Sequence, residues 1–331
     1  MVLVKLTNGR EFPASLGKSL LEAALIEGIA WPYSCKTGRC NTCKSKVIQG
    51  ETTALQLEVG LTDTEKKENW ILGCVRTACT DLLLEVDDLS DMDLPLAKTF
   101  PCRISQIDRL APDVIRVLLR LPPTADFRFI PGQYVDVIGP QGLRRSYSLA
   151  NADFRNKTLE LHIREVDGGA MSDYWFTQAK VNDLLRLNGP LGTFFLRNTT
   201  NVDLIFLATG TGIAPIKAMI EPIADLPSAL RPKSITVIWG GRIAEDIYFD
   251  IQGVVGVDRF VPVLSRASED WTGAKGYVQQ ALLAAQPDLS NAVVYACGSD
   301  AMTRSAKVAL TQAGLAPKNF YSDAFVCSAN N

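Results

Sequence analysis

Histidine is nearly missing from this chain: one residue, His162, in 331. Two-histidine metal sites, Rieske-type clusters among them, are thereby excluded within one chain, and a serine– or cysteine–histidine hydrolase would have to use that single ring. A charge excess of either sign is also missing. Lys and Arg number 34 against 36 Asp and Glu, a net of −2, which argues against a general nucleic-acid binder. No apolar run approaches the length of a membrane span, and "MVLVKLTNGREF" lacks the basic flank and apolar stretch of a signal peptide. A cytoplasmic protein with no membrane association is the expectation, and there the sequon "NTT" at Asn198 carries no meaning. No internal repeat or low-complexity segment is visible. A composition 47% hydrophobic and 21% charged describes folded domains, two or three at this length.

The chain does have eight cysteines. In the cytoplasm these are metal-binding, redox or buried thiols sooner than disulfides. Three lie within "YSCKTGRCNTC", residues 33–43. Cys35-x4-Cys40-x2-Cys43, followed thirty residues later by Cys74, is the plant-type spacing for a 2Fe–2S cluster. Its net negative charge would be offset by loop N–H groups and by Lys36, Arg39 and Lys44. Zinc is the competing metal, but structural zinc sites pair two short-spaced cysteine couples, and Cys74 with Cys79 at an x4 spacing suits zinc poorly. Cys79, Cys102 and Cys327 read as small packed residues.

Three segments and a linker follow from the patterning, a multidomain α+β and α/β arrangement. Residues 1–88 read as short strands around one helix: a hairpin turned at Asn8-Gly9, then "LLEAALIEG" capped by Ser19 and closed by Gly28. The acidic, proline-bearing stretch 89–98 reads as a linker. Residues 99–197 show β-like runs at the ten-residue spacing of an antiparallel barrel. Residues 198–331 alternate strands and helices, as a parallel α/β sheet does. The first segment resembles a plant-type ferredoxin domain, which implies a β-grasp fold. Asn41 stands where many relatives have glycine between the second and third ligands; if that position needs positive φ, asparagine is the next-best residue.

"RRSYSLAN", residues 144–151, resembles the Arg-x-Tyr-Ser signature of the ferredoxin–NADP reductase superfamily. The resemblance implies that Arg145 pairs with the FAD pyrophosphate, that the Tyr147 ring lies against the isoalloxazine beside Ser146, and that the Ser148 hydroxyl reaches flavin N5. A fixed guanidinium suits a diphosphate, and an aromatic face with a hydroxyl positions a hydride-accepting ring. "HIREVDGGAMSDY" resembles the second FAD element. Gly169, Ala170, Met171 and Ser172 (Gly-x-x-Ser) open an expected helix at "SDYWFTQ" whose N–H groups suit phosphate. His162, Ile163 and Arg164 fall on the flavin side, although His162 in an alternating strand also reads as structural. "GPLGTFF" (189–195) resembles the closing element of this domain.

"FLATGTGIAPIKAMI" places Gly210, Thr211 and Gly212 between a strand and a helix, where backbone N–H groups can meet a pyrophosphate. Pro215 stands in place of a third glycine. With "WGGR" and "YACGS" the pattern matches the superfamily's pyridine-nucleotide domain, which implies Cys297 and Gly298 near the nicotinamide; a buried strand-end thiol is the other reading of Cys297. Phe325 in "YSDAFV" (321–326) is a flavin cover or a core residue. Ser265 and Arg266, with Lys275 and Tyr277, resemble a grip on the 2′-phosphate of NADPH, against the alternative that Arg266 is a solvated loop residue.

The resemblance spans the whole chain. It implies an electron-transfer oxidoreductase carrying hydride from NADH or NADPH to FAD, with Ser148 and Cys297 at the reacting atoms, and single electrons through the 2Fe–2S cluster to a partner protein. "PPTADFRFIPGQYVDVI", "GPLGTFF", "WTGAKGYV" and "YSDAFV" look most like CDP-6-deoxy-glucoseen reductases, which feed the dehydrase of 3,6-dideoxysugar synthesis. Reductase components of aromatic-ring dioxygenases and multicomponent monooxygenases share the architecture. A monomer is expected.

Overall fold

The computed structural model describes residues 1–197, 199–251 and 256–325; Asn198, Val326 and Cys327, named above, lie outside them. The chain divides into two compact units, Met1–Leu94 and Pro95–Asn331. Among the described residues no helix is long and apolar enough to cross a membrane.

In the first unit, Val2–Leu6 (β1) and Glu11–Ala14 (β2) pair antiparallel around Asn8-Gly9, with Gly9 at φ +90°. Ser19 Oγ accepts from Glu22 N at 3.1 Å and opens Leu20–Ile26 (α1), whose Leu20, Leu21, Ala23 and Ala24 are buried. Lys44–Gln49 (β3), Thr52–Ala54 (β4), Asp63–Lys67 (α2), Trp70–Leu72 (β5), Arg76–Ala78 (β6) and Leu82–Glu85 (β7) follow. The main sheet is ordered β2-β1-β7-β3-β5 with β1 and β7 parallel, and β4 pairs with β6. This is a β-grasp arrangement. The helix α2 differs from the expectation of a single helix. Its signal was in the sequence: Thr62-x-x-Glu65 forms a reciprocal capping box, which stabilises even a five-residue helix. Part of the expected linker also behaves as fold. Leu89 N donates to Ala30 O (2.9 Å), Ala30 N to Ser90 Oγ (2.9 Å), and Asp88 pairs with Arg10 (3.0 Å).

The second unit begins with Lys98–Ala111 (β8), Val114–Arg120 (β9), Tyr134–Ile138 (β10), Arg144–Ser148 (β11), Thr158–Arg164 (β12), Ala170–Asp173 (α3) and Leu184–Leu191 (β13). The strands run antiparallel in the order β11-β10-β13-β8-β9-β12, and a Leu149–Leu161 bridge joins the two outer ones into a barrel. Alternate residues such as Ile104, Val117, Leu119, Val135 and Leu161 fill its interior. Then come Asp203–Thr209 (β14), Ile213–Ile220 (α4), Ser234–Gly241 (β15), Arg259–Leu264 (β16), Ala274–Lys275 (β17), Val278–Ala284 (α5), Ala292–Ser299 (β18), Asp300–Gln312 (α6) and Phe320–Phe325 (β19). These strands are parallel and ordered β17-β16-β15-β14-β18-β19. The order reverses between β14 and β18, and such switch points open a crevice at the carboxyl ends of the strands.

A ring of alternating charges joins the barrel to this parallel sheet. Asp113 and Arg164 come from the barrel; Arg242 and Asp246 follow β15. The ring closes through Arg164–Asp246 (2.7 Å), Arg164–Asp113 (3.4 Å), Arg242–Asp113 (3.2 Å) and Arg242–Asp246 (3.6 Å). Asp246 also accepts from the backbone N–H groups of Arg242 (2.6 Å) and Ile243 (3.3 Å). Burial works to raise the Asp246 pKa, but these amides and the two guanidiniums outweigh it and hold the carboxyl below its ordinary value.

Asp246→Ala strips a carboxylate only 4% exposed from two guanidiniums, and breaking a buried pair this way costs about 3 kcal/mol. The denaturant midpoint of the second unit should fall accordingly, while Arg304→Ala, at an exposed pair on α6, should stay within about 0.5 kcal/mol. Because the folded-state pKa is lowered, the contribution is present at neutral pH and fades as pH drops through the folded value. Wild type and variant should therefore converge in acid; equal midpoints at neutral pH would refute the account.

Candidate functional site

Cys35, Cys40 and Cys43 lie on one loop, and Cys74 reaches it from the turn after β5. Thr37 N and Cys40 N donate to Cys35 Sγ (3.4 and 3.3 Å), and Cys35 N donates to Cys40 Sγ (3.4 Å). The loop achieves this with left-handed backbone: φ is +56° at Lys36, +73° at Gly38 and +68° at Asn41. Asparagine thus occupies a left-handed position, as its tolerance of that region allows. A Cβ on Gly38 would lie 2.7 Å from the Leu57 carbonyl oxygen. The thiols interact as two couples. A hydrogen bond from Cys40 pulls Cys35 down to about 5, and the Cys43 thiol pulls Cys74 down; Cys40 and Cys43 are pushed up, first by donating those bonds and then by burial. Among the described residues no group of three or more His, Cys, Asp or Glu is arranged to hold a metal ion. That is no obstacle to a two-iron cluster, whose four thiolates divide between two irons, and sulfurs served by amide donors fit such a group. Cys79 departs from the expectation of a packed residue: it follows a two-strand ladder and is exposed, 3.0 Å from Thr53 Oγ1. Cys102 is buried in the barrel, which pushes its thiol up to about 12.

On β11, neighbouring arginines have different partners. Arg144 pairs with Asp136 (2.8 Å) and donates to Asn188 (3.0 Å), whereas Arg145 is exposed and donates to the Arg144 carbonyl (2.8 Å). Among the described residues no carboxylate pairs with Arg145, so its guanidinium is available to a diphosphate. Ser146 Oγ is held by Asp136 (2.5 Å). Tyr147 OH accepts from Trp175 Nε1 (2.9 Å), the rings edge to face at 6.1 Å; burial raises its pKa, so the phenol stays neutral. Ser148 is buried opposite Tyr134.

The second flavin element differs in detail from its sequence reading. The helix begins at Ala170, after Gly169, and Ser172 does not cap it; Ser172 Oγ accepts from Val166 N (2.8 Å) and ties the preceding loop. The first intrahelical bond is Asp173 N to Gly169 O (2.8 Å), so the N–H groups of Ala170, Met171 and Ser172 precede the ladder and suit an anion. Ile163 and Met171 face the barrel core. His162 is committed elsewhere: Nε2 meets Glu160 (2.8 Å) and Nδ1 meets Tyr248 OH (3.1 Å). With both nitrogens engaged and the side chain 3% exposed, it belongs to the seam between barrel and parallel sheet. Burial lowers its pKa, partly offset by Glu160, so the ring is neutral there.

At the switch point lies a cavity of about 650 Å³. Arg164, Gly210, Thr211, Ser265, Tyr277 and Phe325 line it, as do Arg242 and Ser299, the last residues of "WGGR" and "YACGS", and Asp246, Gln279 and Ser305, for which the sequence offered no signal. Gly210–Gly212 form a 3-10 turn entering α4, held by Trp239 Nε1 donating to Gly210 O (2.9 Å). A Cβ on Gly212 would lie 2.2 Å from the Cys297 carbonyl oxygen, so only glycine permits this approach; Pro215 is buried inside α4. Gln279 is 7% exposed; its Nε2 donates to Ser305 Oγ (2.9 Å), and its Oε1 has no partner among the described residues. An orphaned acceptor in the wall fits a hydrogen-bonding coenzyme. Lys275 pairs with Leu264 across strands, bringing it and Tyr277 beside Ser265. Arg266 is exposed outside the lining.

Cys297 stands apart from the expectation that made it a reacting group. It is 0% exposed in the core with Phe206 and Trp239, and burial, with Asp323, pushes its thiol well up. The core reading of this thiol is the one its surroundings fit. Gly298 brings β18 against Thr209, to which Ser299 N donates (3.2 Å).

Residues 4–79 match the 2Fe-2S iron-sulfur cluster binding domain, 101–196 the oxidoreductase FAD-binding domain and 206–308 the oxidoreductase NAD-binding domain. The chain is 39% identical over 325 residues to the CDP-6-deoxy-L-threo-D-glycero-4-hexulose-3-dehydrase reductase of Yersinia pestis, covering 97% of each. It is 32% identical to reductase component 1 of the terephthalate 1,2-dioxygenase of a Comamonas species, covering 96% of this chain and 95% of that one. The crystal structure of the Amycolatopsis cytochrome P450 reductase GcoB matches with a TM-score of 0.77 at 29% identity, over 99% of this chain and 100% of that one. The chain belongs to the iron–sulfur flavoprotein reductases of the ferredoxin–NADP reductase superfamily, which carry electrons from NAD(P)H through FAD to a 2Fe–2S cluster and on to a partner enzyme.

Proposed function

We propose that the electron acceptor is a dehydrase acting on a CDP-linked 6-deoxyhexulose. The observation that carries this reading is full-length similarity: 39% identity to a dehydrase reductase against 32% to a dioxygenase reductase component. The oxygenase-component reading is the second, supported by the number of such relatives. Reconstitution decides between them. With NADPH or NADH, the protein should support turnover of a CDP-6-deoxyhexulose-3-dehydrase and not of a ring-hydroxylating oxygenase; the reverse would transfer the assignment.

When bound, FAD and the cluster convert a two-electron hydride donor into a source of single electrons. The residues' work is to hold and orient. Cys35, Cys40, Cys43 and Cys74 hold the cluster, with the loop amides offsetting thiolate charge. Arg145 and the N–H groups of Ala170–Ser172 hold the FAD diphosphate. Tyr147, braced by Trp175, would orient the flavin ring, and Ser148 Oγ would supply a hydrogen-bond donor to it. Gly210–Gly212 and the cavity at the switch point receive the coenzyme.

Cys74→Ser should abolish most cluster absorbance while FAD content and coenzyme-driven ferricyanide reduction persist, since flavin and coenzyme sites belong to the second unit. Cys79→Ser, at an exposed thiol, should change neither; if it is the more damaging change, the ligand set is wrong.

Ser148→Ala should slow hydride transfer roughly 10²-fold, the effect of removing one transition-state donor, with FAD retained. Wild-type flavin reduction in rapid mixing would remove Ser148 from the mechanism.

For the coenzyme, Ser265, Lys275 and Tyr277 beside Arg266 favour acceptance of NADPH alongside NADH. Arg266→Ala should raise the KM for NADPH about tenfold, the loss of one charge-assisted bond, and leave the KM for NADH nearly unchanged. Equal effects on both coenzymes, or no NADPH turnover in the wild type, would refute it.

A further inference from the structure

We propose that Leu55, Leu57 and Val59 form the docking ridge for the electron-accepting protein, and that this protein meets it with an acidic surface. The three side chains are 43%, 83% and 50% exposed. A single exposed leucine needs no explanation, but three at i, i+2 and i+4 on one segment make a patch. The segment is not loose. Glu58, between the last two, points inward: its carboxylate accepts from Leu72 N (2.8 Å) and from Arg76 Nε (3.0 Å) and Nη2 (2.7 Å), with the side chain 4% exposed. Leu55 N donates to Val75 O (2.8 Å) and Gly60 N to Gly38 O (2.9 Å). Burying the one charged residue and fixing both ends leaves Leu55, Gln56, Leu57 and Val59 facing solvent.

The ridge adjoins the cysteine loop, because the Leu57 carbonyl packs on Gly38 and Gly60 packs on the Arg39 carbonyl. Charge around it is segregated. Residues 1–94 carry ten Lys and Arg against fourteen Asp and Glu, yet residues 28–50 carry Lys36, Arg39, Lys44 and Lys46 and no carboxylate; Lys44 is paired with Glu65 (2.9 Å), so the basic flank beside the cysteine loop is that of Lys36, Arg39 and Lys46. Lys36 and Arg39 are exposed. An apolar ridge with a basic flank on an otherwise acidic unit selects a partner whose apolar patch has an acidic rim, since complementary charge steers encounter and suppresses wrong partners.

The inference rests on the reading of the cluster as the exit for electrons, and the test separates the two. Binding to immobilised holoenzyme is measured for the acidic soluble domain of cytochrome b5 and for basic cytochrome c, across ionic strength. Cytochrome b5 should bind more tightly and weaken as salt rises. Leu57→Ser, and Leu57→Ser with Val59→Ser, should weaken that binding roughly tenfold, as loss of a central apolar contact does, with cluster absorbance and coenzyme-driven flavin reduction unchanged. Tighter binding of cytochrome c overturns the acidic partner. Unchanged cytochrome b5 affinity in both variants overturns the ridge, and so does unchanged affinity with slowed cluster reduction, which would mean the ridge serves the chain's own flavin unit. If coenzyme fails to bleach the cluster in wild type, the electron-exit reading fails, independently of any binding result.

Discussion

The ring of Asp113, Arg164, Asp246 and Arg242 is the constraint on which the second unit depends. Arg164 ends β12, the strand whose neighbouring segment carries the amides proposed for the diphosphate, and it lines the cavity at the switch point. The guanidinium that closes the ring is therefore also a wall of the cavity proposed for the coenzyme, so the barrel cannot shift against the parallel sheet without moving that wall. A second seam reinforces it: Glu160 meets His162 (2.8 Å) and Lys217 (3.5 Å), and Lys217 meets Glu221 (2.6 Å). Charges in contact across a buried seam need well-defined geometry to offset their desolvation. A polar seam is consequently less tolerant of displacement than an apolar one.

The other recurring device is backbone donors placed where a side chain would obstruct. In the cysteine loop, left-handed residues turn amides toward sulfur. At Gly212 the absent Cβ lets the turn into α4 close on the Cys297 carbonyl, which accounts for that residue's burial. A thiol whose own carbonyl is packed on by the coenzyme turn takes part in the fold of the site, and its sulfur is left in the core.

Legibility followed the range of the interaction. Cysteine spacing, Arg-x-Tyr-Ser and Gly-x-Gly are local patterns whose physics is complete within a few residues, and they gave the ferredoxin, flavin and nucleotide architecture that the comparisons bear out. The capping box of Thr62 and Glu65 is equally local. The ring could not be read: Asp113 and Arg242 are 129 positions apart, and nothing in either neighbourhood reports the other. The partners of His162 and Ser172 are out of reach of a local pattern for a related reason. A polar residue in a signature segment has several possible partners, and only tertiary placement shows that Tyr248 takes one and the Val166 amide the other.

Prior commitment also ranks the arginines as anion receptors. Arg144 is held by Asp136 and Asn188, and Arg164 and Arg242 share two carboxylates in the ring; Arg145 gives one hydrogen bond to a carbonyl. A phosphate reaching Arg145 adds an ion pair where none exists among the described residues. A phosphate reaching Arg164 or Arg242 must share or displace a carboxylate, so its gain is a difference between two pairs. The arrangement suits a tightly retained FAD and an exchanging coenzyme: net gain at the first site holds its ligand, and near balance at the second lets its ligand leave.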